Sequence, residues 1–142
     1  MINLIPLCTA VVEVGTSWDV GAGPAGSRSV AEIRSAVFQG ERFNASMAGV
    51  AAADWMLANG PVAVIDVRMT LKTDDGALIF MQYGGRLDRE KRENGLHAYS
   101  TPVFETGDER YAWLNGIQAV GKGRILPGPD GVRIEYEFYE LR

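Results

Sequence analysis

Asp54 is the residue whose neighbours best suit it to chemistry. It lies between Ala51-Ala52-Ala53 and Trp55-Met56-Leu57, an apolar setting for a carboxylate. Desolvation beside an indole raises a carboxyl pKa and fits it for general acid–base work. A second reading leaves Asp54 as a strand-end residue that bonds nearby backbone donors, a habit of aspartate. Asp66 and Arg68 stand two apart on an alternating segment, so they share a face. On a solvated face they form an ion pair of small consequence. In a lumen, Arg68 would hold a carbonyl or carboxylate oxygen, with Asp66 beside the ligand. Tyr111, Trp113 and Asn115 also alternate onto one face, as an aromatic core stripe or as a ligand wall with polar tips. In the catalytic reading Asp54 is the acid–base, and Arg68 and Asn115 steady an enolate or phenolate oxygen. Tyr111 and Tyr83 donate or relay a proton, and Trp55 and Trp113 form the apolar wall.

Other chemistries have less support. The only cysteine, Cys8, allows no internal disulfide and reads as a small buried apolar residue. The only histidine, His97, follows a polar loop, and nothing pairs it with Cys8. Acyl-enzyme chemistry is disfavoured without a nucleophile–base pair. One histidine and one cysteine cannot make a zinc site without carboxylates, so no metal and no cofactor are expected. Gly21-Ala22-Gly23-Pro24-Ala25-Gly26 matches G-x-G-x-x-G. The preceding strand ends too early for a tight βα turn, and Pro24 sits where the backbone would approach a pyrophosphate. Asp74-Asp75-Gly76 lacks the further ligand spacing of a calcium loop and has the residues of a tight turn. Net charge is −4 with the signs interspersed, which argues against nucleic acid. No apolar run approaches the ~20 residues of a membrane span. The N-terminal residues lack a basic stretch and meet Pro6 early, unlike a signal peptide, so a cytoplasmic, reducing setting is expected.

These residues must be positioned by strands. The 142 residues suffice for one domain, 1–142, with its own core. Ala63, Ile65, Val67, Met69 and Leu71 form a clean apolar face, followed by a Thr73-Asp74-Asp75-Gly76 turn and a second strand over 77–83. Leu4 to Val14 is apolar and β-branched. Ser29 to Phe38 carries both a capping-box spacing and strand alternation. Residues 111–120 alternate as a strand, interrupted by Gly121 and Gly123. Val132, Ile134, Tyr136 and Phe138 give the last strand an apolar face. Only the charged stretch near 88–95 suits a short helical turn. About eight to ten short strands with frequent turn signals predict an all-β, closed, antiparallel up-and-down barrel.

Three segments carry a resemblance. Ala53-Asp54-Trp55, then Thr73-Asp74-Asp75-Gly76-Ala77-Leu78-Ile79, then Phe104-Glu105-Thr106-Gly107 with Tyr111-Ala112-Trp113-Leu114-Asn115, stand in one order. By these the chain resembles the microbial domain-of-unknown-function family numbered three-two-three-seven, over nearly its whole length. The resemblance implies a lipocalin-like (calycin) β-barrel, usually a homo-oligomer, with Ser29 to Phe38 as a strand. It implies no settled activity. Ser35-Ala36-Val37 and Val50-Ala51-Ala52-Ala53 depart from the family's glycine-rich pattern and predict a narrower or more apolar cavity. The leading expectation is a cofactor-independent isomerase, cyclase or lyase acting on a small apolar carbonyl or aromatic compound. The alternatives are a binding module for a small hydrophobic ligand, or a barrel serving assembly through the surroundings of Met56 or Met81.

Overall fold

A computed structural model describes residues 1–142. Alternating apolar and polar residues build nine strands in one antiparallel sheet. They are β1 (Leu4–Gly23), β2 (Gly26–Gln39), β3 (Ala45–Met47), β4 (Ala53–Asn59), β5 (Val62–Thr73), β6 (Leu78–Asp88), β7 (His97–Glu105), β8 (Ala119–Gly128) and β9 (Gly131–Leu141). From β5 onward each strand pairs with the next, and β9 pairs back onto β1, which also pairs with β2. β3 and β4 together fill one place, since each pairs with β2 on one side and β5 on the other. Every strand therefore has a partner on each side, and the sheet is barrel-like. No helix is long and apolar enough to cross a membrane.

The inward face of β5 is the apolar one: Ala63, Ile65, Val67, Met69 and Leu71 are all buried. Strict alternation then sends Asp66 and Arg68 outward. Their side chains are 42% and 52% exposed and 3.6 Å apart, so the lumen placement of this pair is corrected to a solvated ion pair. Met81 is fully buried, and Met56 lines an interior cavity.

The short helix also falls elsewhere than expected. Residues 89–96 contain only turns, because Asn94 (φ 54°) and Gly95 (φ 103°) take left-handed conformations that stop a helix. A 3-10 helix forms instead over Glu109–Gly116, the segment that alternates like a strand. Asp108 caps it by accepting from the Arg110 N–H at 3.0 Å. Leu114, fully buried, anchors it in the core.

β8 explains its own glycines. Gly121 pairs with Phe138 and Gly123 with Tyr136 across the β8–β9 ladder. A Cβ on either would stand 2.5 Å from the partner's ring, so the glycines are the seats on which the two inward rings lie. The rings stack at 4.9 Å with 16° between their planes. Gly123→Val should cost about 1–3 kcal/mol by displacing the Tyr136 ring. Urea denaturation measures it, and an unchanged midpoint would show that the ring has room to move.

Candidate active site

The interior is packed around Phe38, Met69, Leu71, Ile79, Met81 and Leu114, and hollow beside them. The hollow is a cavity of about 340 Å³ walled by every strand except β3. Its lining is almost entirely apolar. Asp54 is the sole charged residue there, and Ser17, Tyr83 and Tyr136 are the remaining polar side chains.

Local irregularity places Asp54. The β4–β5 ladder pairs Asp54 with Val67 and Leu57 with Val64, with no ladder pair between them. The Asp66 N–H in that gap donates to Asp54 Oδ1 at 3.0 Å. β1 shifts register on either side of Val14, and Val14, Gly15 and Ser17 form part of the cavity wall. Bulges concentrate where a strand must re-aim side chains beside a site. The resulting row runs Ser17, Ala31, Asp54, Val67, Tyr83 across five strands. Asp54 and Tyr83 thus face the cavity two strands apart.

Burial pushes the Asp54 carboxyl up to about 6, against the hydrogen bond from Asp66, which lowers it. Burial also pushes Tyr83 well above the usual phenol range and raises Tyr136; Asp54's charge adds to both. These are the environments that set an acid–base group apart from groups that stay protonated. A buried carboxylate costs stability once it ionises. Its pKa is raised in the fold, so the contribution is complete below about 4 and is lost as pH rises through about 6. Asp54→Asn keeps the acceptor oxygen and removes the charge. The variant should be about 2 kcal/mol more stable than the parent at pH 8 and equal to it at pH 4. Thermal melts across that range measure it; parallel stability curves for the two proteins would refute it.

The other expected site residues lie off the cavity. Trp55 points outward by strand alternation, beneath the Arg68 guanidinium, 5.1 Å from the ring centroid. Asp66 and Arg68 lie on that outer face. Tyr111, Trp113 and Asn115 belong to the 3-10 helix, which removes them from the sheet. Tyr111 Oη donates to Asp75 Oδ1 at 2.8 Å, tying the helix to the β5–β6 turn. Trp113 packs under Arg42, 4.2 Å from the ring centroid. Asn115 closes its own loop, accepting from the Thr106 N–H and donating to the Thr106 carbonyl. Asp54 and Tyr83 alone of the expected set meet at the cavity. The two segments that depart from the family pattern do not narrow it, since no residue of 35–37 or 50–53 lines it.

Tyr136 was missing from the expected set. A tyrosine in an apolar stripe reads as core, and its phenol announces itself only through Gly123, the empty position opposite. Cys8 is buried, and burial lifts its thiol to about 12, so it stays protonated. No three His, Cys, Asp or Glu side chains converge to hold a metal.

Fold and site together define an all-β, barrel-like protein with one carboxyl in an apolar interior cavity. The chain belongs to the family described as protein of unknown function (DUF3237), whose model matches residues 2–141. It is similar to a solved beta-barrel-like protein from Acinetobacter baumannii, at 29% identity and a TM-score of 0.83, covering 100% of this chain and 97% of that one. A conserved protein of unknown function from Rhodopseudomonas palustris matches at 19% identity and a TM-score of 0.84, covering 100% and 99%. An enzyme from Penicillium herquei matches at 20% identity and a TM-score of 0.73, covering 99% and 95%. No curated protein matches this chain.

Proposed function

We propose that this protein is a cofactor-independent enzyme that moves a proton on a small, largely apolar carbonyl or aromatic compound, by isomerisation, cyclisation or elimination. The observation behind this reading is a single carboxyl, pushed up to about 6, in an otherwise uncharged interior cavity. A base that ionises near neutrality combines availability with driving force for proton transfer. The cavity's 340 Å³ falls at the small end of ligand sites, which suits a compound of one or two rings. The Penicillium herquei neighbour supports catalysis within this architecture. The sheet is read as a closed barrel of lipocalin-like kind, with the cavity as its ligand chamber.

A second reading is a binding module for a small hydrophobic ligand. It is favoured by the absence of a partner for Asp54 that titrates near neutrality, since both neighbouring phenols are raised. One experiment separates the two. A panel of enolisable ketones and hydroxylated aromatics is incubated with the protein in heavy water, and deuterium incorporation is followed by NMR. Catalysed exchange on at least one compound supports the enzyme. Saturable binding with no exchange above the buffer rate supports the module. Tryptophan fluorescence is a poor reporter here because neither Trp55 nor Trp113 touches the cavity.

A further inference from the structure

We propose that Tyr136, held beside Tyr83, is the cavity's oxygen-binding donor, and that the substrate is a neutral molecule presenting a ketone or phenol oxygen to it. The proposal rests on the acid–base reading of Asp54 and names what that acid–base acts upon.

Tyr83 and Tyr136 both line the cavity and are 2% and 3% exposed. Their rings meet edge-on at 5.8 Å. The two hydroxyls are close enough to influence one another, which raises Tyr83 and lowers Tyr136 against the burial that raises both. Neither a backbone group nor a charged side chain bonds the Tyr136 hydroxyl, so its proton is available to a ligand. A buried hydroxyl left unpaired costs free energy that phenylalanine at the same place would not. The hydroxyl gains a partner when a ligand oxygen enters. The ring beneath it cannot swing aside, because it is held between the Gly123 seat and the Phe138 stack.

Charge selects the ligand. No lysine, arginine or histidine lines the cavity, so a carboxylate or phosphate entering it would lose its hydration and meet Asp54 with no compensating cation. Neighbouring strands lie about 4.8 Å apart, so the two-strand step from Asp54 to Tyr83 spans roughly 10 Å between backbones. A flat ring is thinner than that separation, and the cavity lined by the carboxyl and both phenols is about 340 Å³.

The step balances without a co-reactant. Ionised Asp54 takes a proton from the carbon beside a carbonyl. The C–H electron pair becomes the enolate π bond, and the carbonyl π pair moves onto the oxygen. Tyr136 donates to that oxygen while keeping its own proton. Asp54 then returns the proton at another position of the conjugated system, so nothing is oxidised or reduced. Donors aimed where charge develops stabilise such an intermediate without reorganising.

The test uses 4-nitrophenol and nitrobenzene as probes, which share a ring and differ in the hydroxyl. Binding is measured by ligand-observed NMR at pH 5, where the phenol and Asp54 are both largely neutral. In the parent protein 4-nitrophenol should bind tighter than nitrobenzene. Tyr136→Phe should weaken 4-nitrophenol about tenfold, the worth of one well-made hydrogen bond, and leave nitrobenzene unchanged. Tyr83→Phe should weaken 4-nitrophenol by a smaller factor, about threefold, since it removes a neighbouring hydroxyl and leaves Tyr136 in place. Both variants keep their rings, and an unchanged melting temperature would verify that packing survives. Equal affinity of parent and Tyr136→Phe for 4-nitrophenol overturns the proposal, as does absence of saturable 4-nitrophenol binding to the parent. Failure of the acid–base reading looks different: Asp54→Asn would leave deuterium exchange intact while the hydroxyl selectivity still depended on Tyr136.

Discussion

Asp54→Asn will lose about two to four orders of magnitude in the rate of proton transfer, the usual contribution of a positioned general acid–base. The substitution is close to isosteric. Asparagine keeps the oxygen that accepts from the Asp66 N–H, so the cavity wall and the β4–β5 gap should survive it. What disappears is a group that can exchange a proton near neutrality. In the parent, the rate limited by proton abstraction should rise with pH and level off above about 6, where the carboxyl is ionised. The variant should show no such inflection. Deuterium exchange into the best substrate of the panel, followed from pH 4 to 8, measures both features together. A variant that turns over at nearly the parental rate would remove Asp54 from the chemistry. The cavity would then remain as a binding chamber.

Phe138→Ala will destabilise the fold by about 3–5 kcal/mol, the range for truncating a buried aromatic ring. Phe138 is 2% exposed and touches aromatic rings on several sides. It stacks on Tyr136 at 4.9 Å, lies 6.2 Å from Phe38 and 6.5 Å from Tyr83, and rests on Gly121. Its removal leaves a void next to the existing cavity, and β-sheet walls tied by hydrogen bonds on both sides cannot collapse to fill it. The ring also holds Tyr136 in place. The same variant should therefore lose the preference for 4-nitrophenol over nitrobenzene at temperatures where it remains folded. Urea denaturation measures the first effect. A loss below about 1 kcal/mol would mean that the neighbouring rings close over the gap.

Much of the architecture was legible in local pattern. The alternation of Ala63 through Leu71 and of Val132 through Phe138 identifies inward faces directly, because side chains on a strand point to opposite sides in turn. The Asp74-Asp75-Gly76 turn was read as a turn, and Thr73 and Asp75 hold it there by hydrogen bonds. Ser29 to Phe38 lies within β2, so strand alternation prevailed over the capping-box spacing. That segment is paired on both sides, and sheet hydrogen bonds outweigh one cap.

The misplacements share a cause. Residues 111–120 alternate as well as any strand, yet only Ala119 and Val120 join one, β8; Asp108 caps 109–116 into a 3-10 helix, and Leu114 pulls that helix into the core. Alternation reports which residues are apolar and leaves open whether a partner strand exists to pair with them. Of the two readings of Asp66 and Arg68, the lumen one fails and the solvated ion pair holds, because the apolar face of the same strand already occupies the interior. One strand cannot turn both faces inward.

The sequence by itself determined the fold class, the inward face of its best strands and the presence of one carboxyl in an apolar setting at Asp54. These are consequences of residue type and spacing, which act over a few positions. Only the tertiary structure decided the company Asp54 keeps. Tyr83 lies 29 positions onward and Tyr136 82 positions onward in the numbering of the chain, and both reach the cavity through ladder register and through the room left by Gly123. Register between distant strands depends on every bulge and turn around the sheet. No local pattern carries that sum, and so the acid was visible in advance while the phenols facing it were seen as a ligand contact and a piece of core.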